Sequence, residues 1–300
     1  MKFTLLPARA ALSVAGPDAV PFLQGLVSND VAQVAPGRAV YAALLTAQGK
    51  FLFDFFVAQM PKEMGEGLVL DAEAARIDDL ARRLKIFKLR SKVTIERLDG
   101  YVVAAAWNNE RGGDGAEQAL NAVDGVSYPD PRLAAAGVRF VIREGDVAKL
   151  AAAGFAQASE ADYDAHRLSY GLPDSRDMEV EKSVLLECGF EDLHGVDFQK
   201  GCYMGQELTA RTKYRGLVKK RLLPVVISGA SEGEGPAPGT RITLDGKDAG
   251  ELRSARGAAG LALIRLEAYD KARIEGLPLM AGEAALAAWK PDWMSLPEHE

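Results

Sequence analysis

The sequence has few cysteines and no long apolar run. Only Cys188 and Cys202 occur among its 300 residues, so a disulfide scaffold is excluded, and thiolates alone cannot supply a structural zinc site or hold an iron–sulfur cluster. No uninterrupted apolar run approaches the roughly 18 residues of a membrane-spanning helix. Pro7 and Arg9 interrupt the apolar N-terminus before a signal-peptide core can form. We therefore expect a cytoplasmic protein in a reducing compartment.

The charge balance is mildly acidic. There are 42 acidic and 36 basic residues, for a formal net charge of −6. The negative net charge argues against bulk binding to nucleic acid or to a membrane surface, although local basic patches can occur on a protein of this net charge. We expect neither a membrane nor an RNA partner, and we expect a monomer. At roughly 100–200 residues per domain, the length suggests two or three domains.

Hydrophobic periodicity predicts α+β layers followed by a β-barrel. Residues 40–46 and 51–59 read as strands. Apolar residues at spacings of three and four predict the strongest helix of the chain over residues 73–85. After Arg221, short strands alternate with turns rich in Gly, Pro and Asp, which indicates a small barrel or sandwich.

One segment carries a sharp chemical signal: residues 198–211, F-Q-K-G-C-Y-M-G-Q-E-L-T-A-R. Gly201 and Gly205 bracket Cys202, and both permit a positive φ and a close approach of the backbone. The pattern is typical of a thiol presented on a tight turn at a helix start. There, the helix N-terminus and Lys200 would both stabilise a thiolate.

Two alternatives for Cys202 stay open. A lone cysteine is most often a small buried residue without chemistry. The separation of Cys188, His194 and Cys202 also permits a metal site, although it supplies only three ligands at unhelpful spacing.

The string from Lys200 to Glu207 resembles the K-G-C-Y-x-G-Q-E signature of the YgfZ family, the folate-binding relatives of the glycine-cleavage T-protein (aminomethyltransferase). Residues 22–31, F-L-Q-G-L-V-S-N-D-V, are similar to the N-terminal F-L-Q-G-x-x-(S/T)-N-D-V element of that family. Because shorter matches are spread along the sequence, the resemblance covers essentially the whole chain. They lie at residues 49–50, 89–93 and 166–173.

The resemblance implies the fold. In this family three lobes form a cloverleaf around a central channel: two α+β lobes, the first of them discontinuous, and a C-terminal β-barrel. We therefore expect an α+β, T-protein-like protein. Its first lobe would comprise residues 1–45 and 137–218, its second lobe residues 46–136, and its barrel residues 219–300.

The resemblance also implies a function: a tetrahydrofolate-binding accessory protein for assembly or repair of [4Fe–4S] clusters in client enzymes. Two thiols cannot hold such a cluster alone, so Cys202 would act as a transient thiolate, in redox exchange or as a temporary ligand shared with a partner. The expected partners are folate and the client or assembly proteins. The motif residues expected to act with Cys202 or to contact the cofactor are Lys200, Gly201, Tyr203, Gly205, Gln206 and Glu207.

The resemblance leaves the question of catalysis open. T-protein uses an aspartate of a G-G-x-x-D-D element, and residues 49–55 read G-K-F-L-F-D-F, which retains only Asp54. This side chain is either the acid of an aminomethyltransferase or demethylase acting on a small methylamine, or a strand residue facing solvent. The two-residue alternation favours the second. Residues 112–117 mimic the pterin-holding G-x-D-G-x-E element but fall too early in the chain.

Basic residues provide the remaining candidates. Arg167 matches the arginine of the family's R-(I/L)-x-x-G helix and is the best candidate to contact folate, whose glutamate tail is anionic; alternatively it makes an ion pair between lobes. Two basic clusters could receive a polyglutamate tail, an acidic partner or an RNA backbone, or could be solvated faces. They are Lys85, Lys88, Arg90 and Lys92, and Lys213, Arg215, Lys219, Lys220 and Arg221. A scaffold that has lost its ligand is the third hypothesis.

Overall fold

The computed structural model describes residues 1–108, 120, 123–229 and 235–297; the pterin-like string at 112–117 lies outside them. Its helices are α1 (Ala19–Gln24), α2 (Ile77–Phe87), α3 (Val147–Ala152), α4 (Glu160–Ser169), α5 (Gln206–Tyr214) and α6 (Leu266–Glu275). The strands of the N-terminal half are β1 (Lys2–Leu5), β2 (Arg9–Ala15), β3 (Val40–Leu45), β4 (Phe51–Gln59), β5 (Gly67–Glu73), β6 (Thr94–Arg97), β7 (Tyr101–Trp107), β8 (Val126–Pro129), β9 (Val138–Arg143) and β10 (Ala156–Gln157). The later strands are β11 (Lys220–Ser228), β12 (Arg241–Leu244), β13 (Lys247–Arg256), β14 (Ala259–Arg265), β15 (Leu279–Ala281) and β16 (Ala284–Ala288).

The chain folds into two units that interleave in sequence. The first comprises Met1–Ala47, Leu52–Tyr163 and Leu193–Gln206, and the second comprises Gln48–Phe51, Asp164–Asp192 and Glu207–Glu300. Among the described residues, no helix has both the length and the apolar character that a membrane crossing requires. The predicted α+β architecture is confirmed, since helices alternate with strands before the final barrel.

Two five-stranded sheets form the first unit. Their strand orders are β3-β4-β5-β2-β6 and β10-β1-β7-β9-β8. Helix α2 packs its buried Ile77, Leu80 and Leu84 into the core of the first sheet. The predicted helix is confirmed, but it begins at Ile77 because residues 67–73 are strand β5 and a 3-10 turn follows at Ala74–Arg76.

Strand β4 is buried along nearly its whole length, with only Gln59 exposed. The Asp54 residue on it is only 2% exposed. The prediction that Asp54 faces solvent is therefore wrong. The prediction failed because both faces of β4 are covered, so the two-residue alternation does not separate an inner from an outer face.

A buried ionic cluster joins the two sheets of the first unit. The Asp71 carboxylate on β5 accepts hydrogen bonds from Arg9 Nε on β2 and Arg139 Nε on β9, each at 2.8 Å. The Tyr128 hydroxyl on β8 donates to the same carboxylate at 3.1 Å. Burial opposes ionisation of Asp71, but Arg139 and Arg9 outweigh it and hold the pKa of Asp71 below its ordinary value. A buried charge is tolerated only when it is paired in this way.

A closed six-stranded barrel, in the order β11-β14-β13-β12-β15-β16, dominates the second unit. Antiparallel pairing of β11 with β16 closes it, with Val225 opposite Ala288. Its core contains the buried Leu252 and Ile264, and Tyr269 of α6 packs on the same cluster. The predicted C-terminal β-barrel is confirmed.

Candidate functional site

The Lys200–Glu207 motif occupies the loop that leads into α5. Cys202 is exposed on this loop, whereas Cys188 is buried. Helix α5 begins at Gln206, four residues after Cys202. The Cys202 thiol is therefore accessible to solvent in the folded chain.

Lys200 ties this loop to the N-terminal element of residues 22–31. Its ammonium donates to the backbone carbonyls of Gln24 at 2.8 Å and of Val27 and Asn29 at 2.7 Å each. An ammonium has three donors, so these bonds use all of them. The Lys200 side chain therefore anchors the cysteine loop to the N-terminal element of residues 22–31.

The charge of Lys200 is partly desolvated. Burial lowers its pKa to about 8, while Asp30 and Asp197 oppose that shift. The same ammonium lies 5.2 Å from the centroid of the Tyr203 ring, within cation–π range. Lys200 and Tyr203 thus pack together beneath the exposed cysteine loop.

Backbone and side-chain bonds shape the loop on both sides of Cys202. The Asp197 carboxylate accepts from the Gln199 amide at 2.6 Å and from the Lys200 amide at 3.1 Å. The Gln206 side chain accepts from the Tyr203 amide at 3.1 Å, reaching back from the first residue of α5. This is the geometry by which a side chain in the first helical turn satisfies an upstream donor.

The two motif glycines differ. Gly205 has φ +81, the left-handed conformation that favours glycine. Gly201 is not among the glycines with positive φ, and a Cβ there would meet nothing within 4 Å. The Glu207 side chain is exposed and lies 3.9 Å from Arg211. Positive φ is thus required at only one of the two glycines.

Ser28 and Asn29 are buried and hydrogen-bond to the segment before Cys202, which sequence reasoning missed. The Ser28 hydroxyl donates to the Gly195 carbonyl at 2.6 Å and accepts from the Ala43 amide at 2.9 Å. The Asn29 amide donates to the His194 carbonyl at 2.6 Å. Their only sequence signal was membership of the F-L-Q-G-x-x-S-N-D-V string, which does not reveal that it packs on the segment before Cys202.

Cys188 lies in a different environment, on the 3-10 turn Leu185–Cys188. Burial, and to a smaller extent Glu187, raise the pKa of this thiol to about 12. A buried thiol with a raised pKa is unreactive near neutral pH. In the part of the chain that the structure describes, no group of three or more His, Cys, Asp or Glu side chains is placed to hold a metal ion.

Arg167 is buried within the second unit and paired. It donates to Asp164 Oδ1 at 2.6 Å, Asp177 Oδ2 at 2.8 Å and the Leu172 carbonyl at 3.0 Å. A further contact at 3.3 Å joins it to the Ser254 hydroxyl. Arg167 thus forms ion pairs with carboxylates of its own unit, not the ion pair between lobes that the sequence left open, and these bonds leave it poorly placed to receive a folate carboxylate.

Asp54 also has partners in the first unit. Its carboxylate accepts from the Tyr41 hydroxyl at 3.0 Å, and Arg9 Nη1 lies 3.9 Å away. Burial and, next, the charge of Asp54 raise the pKa of Tyr41, so Tyr41 stays protonated as the donor. The carboxylate is therefore held by protein groups in this arrangement.

The basic cluster of residues 213–221 is partly neutralised within the second unit. Lys213 pairs with Glu191. Arg221 donates to the Leu186 carbonyl at 2.7 Å and to Asp192 at 2.5 Å. These two cations support the fold and do not form a free anion-binding face.

The chain is similar to known proteins in both sequence and structure. Residues 8–106 match the family model of the GCVT N-terminal domain, and residues 219–296 match the model of the CAF17 C-terminal β-barrel domain. The crystal structure of glycine cleavage system aminomethyltransferase T from Bartonella henselae superposes with a TM-score of 0.71 at 14% identity, over 96% of this chain and 84% of that one. This likeness confirms the predicted T-protein-like fold.

Relatives that match nearly the whole of this chain are more similar to it in sequence than the aminomethyltransferase is. The mitochondrial iron–sulfur cluster assembly factor IBA57 of Mus musculus and that of Homo sapiens are each 33% identical, over 96% of this chain and 84% of their own length. The mitochondrial IBA57 homologue of Pyricularia oryzae is also 33% identical, over 94% of this chain and 76% of its own. These descriptions do not name the YgfZ family.

The names of these relatives correct one expectation. All three are described as mitochondrial. The prediction of a cytoplasmic protein, which rested on composition and on the N-terminal residues, is contradicted by them, and the relatives point to mitochondria.

Proposed function

The chain belongs to the IBA57 family of iron–sulfur cluster assembly factors, and from this premise we propose that it supports the assembly or repair of [4Fe–4S] clusters in client proteins through the Cys202 thiol. The observation that carries the proposal is the exposure of Cys202 on a loop that the Lys200 side chain ties to the backbone carbonyls of residues 24, 27 and 29. The chain acts as an accessory, because two thiols cannot hold a cluster by themselves.

The cluster is the cargo of this reaction. The Cys202 thiol loses its proton to solvent, and the thiolate binds an iron of a cluster presented by a partner, displacing one of the partner's ligands. On release the partner's or client's ligand takes that coordination position and Cys202 is reprotonated. A held loop favours such an exchange, because the nucleophile loses little conformational entropy when the partner arrives.

Tetrahydrofolate enters the proposal through the T-protein-like fold alone. Arg167, the best candidate to contact folate, is paired with Asp164 and Asp177. Asp54, the candidate acid of the aminomethyltransferase alternative, accepts a hydrogen bond from Tyr41. The predicted contact of Arg167 with folate therefore does not fit this arrangement, and no step is assigned to folate. For the same reason no specific contact of Asp54 favours the aminomethyltransferase alternative.

The deciding experiment is complementation. In a strain that lacks the protein, the activity of [4Fe–4S] enzymes is measured after rescue with wild type, Cys202→Ser or Cys188→Ser. We expect wild type and Cys188→Ser to restore activity and Cys202→Ser to fail while remaining folded by circular dichroism. Rescue by Cys202→Ser would reject the thiol mechanism.

Folate binding is tested separately by titration calorimetry with tetrahydrofolate. Saturable binding to wild type that survives in Cys202→Ser would establish a ligand site independent of the thiol. Absence of saturable binding would remove folate from the proposal and leave the role of Cys202 intact.

A further inference from the structure

An apolar corner protrudes where α2 ends, at residues 85–92, which we call the basic-apolar corner. Its Ile86, Phe87 and Leu89 are exposed by 60%, 38% and 88%. Three neighbouring large hydrophobic side chains in contact with water are unusual on a protein surface and mark an interaction site.

Four cations surround these side chains. Among the ion pairs that the described residues form, none involves Lys85, Lys88, Arg90 or Lys92. The nearby carboxylate of Asp18 accepts a hydrogen bond at 2.7 Å from the backbone amide of Lys92, and this bond does not involve the Lys92 ammonium. The corner is therefore a local positive patch on a chain whose net charge is −6, and its charges are available to an external anion.

The backbone of the corner is strained at Leu89. Leu89 has φ +43, a conformation that is unfavourable for a bulky side chain. Backbone strain of this kind persists where the surroundings impose it, and it concentrates at functional positions. In this corner the strained residue, Leu89, carries the most exposed of the three apolar side chains.

A hydrogen bond and buried neighbouring residues hold the backbone of the corner in place. The Ser91 amide donates to the Lys88 carbonyl at 2.8 Å, and Leu84 and Val93 on either side are buried. Gly16, with φ +118, passes so close that a Cβ there would lie 2.3 Å from the Lys92 carbonyl oxygen. The exposed side chains thus project from a fixed turn.

We propose that the basic-apolar corner docks the protein on an anionic lipid surface. Protein interfaces are depleted in lysine and typically need 20–30 residues a side, whereas this patch has eight residues and three of its four cations are lysine. Lysine and arginine beside leucine and phenylalanine is the composition of surface-binding membrane elements. The apolar side chains enter the headgroup region while the cations contact lipid phosphates.

The test is co-sedimentation of the full chain with vesicles. We expect binding to vesicles of phosphatidylcholine and phosphatidylglycerol in equal parts, weak binding to phosphatidylcholine alone, and loss of binding at high salt. The double variant Lys88→Gln, Arg90→Gln should bind about twenty-fivefold more weakly, at about fivefold for each cation near the surface. Leu89→Ser should also reduce the bound fraction.

Matched controls lie on the barrel unit. Ile274→Ser removes another highly exposed apolar side chain (73%) and Lys247→Glu reverses an exposed charge; both should bind like wild type. The proposal is overturned if wild type does not prefer anionic vesicles, or if the corner variants bind as tightly as the controls. Two results in combination would overturn it in favour of a protein partner. The wild type would not sediment with anionic vesicles, and a photoreactive residue at position 89 would capture a cross-linked protein in cells.

Discussion

The ammonium of Lys200 donates a hydrogen bond to the backbone carbonyl of Asn29 at 2.7 Å, across 171 residues of sequence. With the bonds to Gln24 and Val27 it joins the two most distinctive motifs of the chain. The lysine of the cysteine motif is thus a structural anchor for the loop that exposes Cys202.

Replacing Lys200 by methionine should destabilise the protein by about 1–3 kcal/mol, because three backbone carbonyls lose their donor, although the burial cost of the ammonium is removed with it. The measurement is the free energy of unfolding in urea. Lys247→Met, which removes an exposed lysine, should change it by less than about 0.5 kcal/mol. Equal stability of Lys200→Met and wild type would show that the anchor contributes nothing.

The two thiols should differ sharply in reactivity. In the native protein, an aromatic disulfide reagent such as dithiobis(nitrobenzoate) should label one thiol quickly, and labelling should reveal both after unfolding. Cys202→Ser should abolish the fast phase and Cys188→Ser should retain it, because only Cys202 is exposed. A fast phase that survives in Cys202→Ser would contradict the assignment.

Cys188 should make stability fall at alkaline pH. Its folded pKa, about 12, lies above the ordinary value of about 8.5, so the unfolded chain releases this proton first. The stabilisation is complete below about pH 8.5 and declines towards pH 12, by at most about 1.4 kcal/mol per pH unit. Comparing Cys188→Ala with wild type across this range isolates the effect, which Cys202→Ala should not reproduce.

Asp71→Asn should cost about 3–5 kcal/mol, because Arg139 would lose the carboxylate it pairs with and Arg9 would keep the more distant Asp54, 3.9 Å away. Since the folded pKa of Asp71 is lowered, its contribution is present above about pH 4 and is lost as the pH falls through the folded value. Urea unfolding at neutral and acidic pH measures both. The control Asp248→Asn removes an exposed ion-pair partner and should cost about 1 kcal/mol or less.

Leu89→Gly should stabilise the protein by about 1 kcal/mol, because glycine adopts the positive φ of this position without strain. Thermal unfolding provides the measurement. Leu217→Gly, at an exposed leucine that is not among the positive-φ residues, should instead destabilise. A lower melting temperature for Leu89→Gly would show that the Leu89 side chain itself holds the turn.

Local patterns predicted a large part of the molecule. The stripe of Ile77, Leu80 and Leu84 predicted a helix, and the short strands after Arg221 predicted the barrel, because both signals come from neighbours in sequence. The string around Cys202 likewise singled out the exposed thiol without any knowledge of its surroundings.

The remaining site depended on contacts between distant residues. Alternation could not reveal that β4 is covered on both faces and buries Asp54, and no spacing could show that Arg167 meets Asp177 and Ser254. The sequence by itself determined the α+β and barrel architecture and singled out the cysteine that is exposed in the folded chain. Only the tertiary structure decided that Lys200 is an anchor and Arg167 an ion-pair partner, because the role of a charged side chain is set by the groups that folding brings to it.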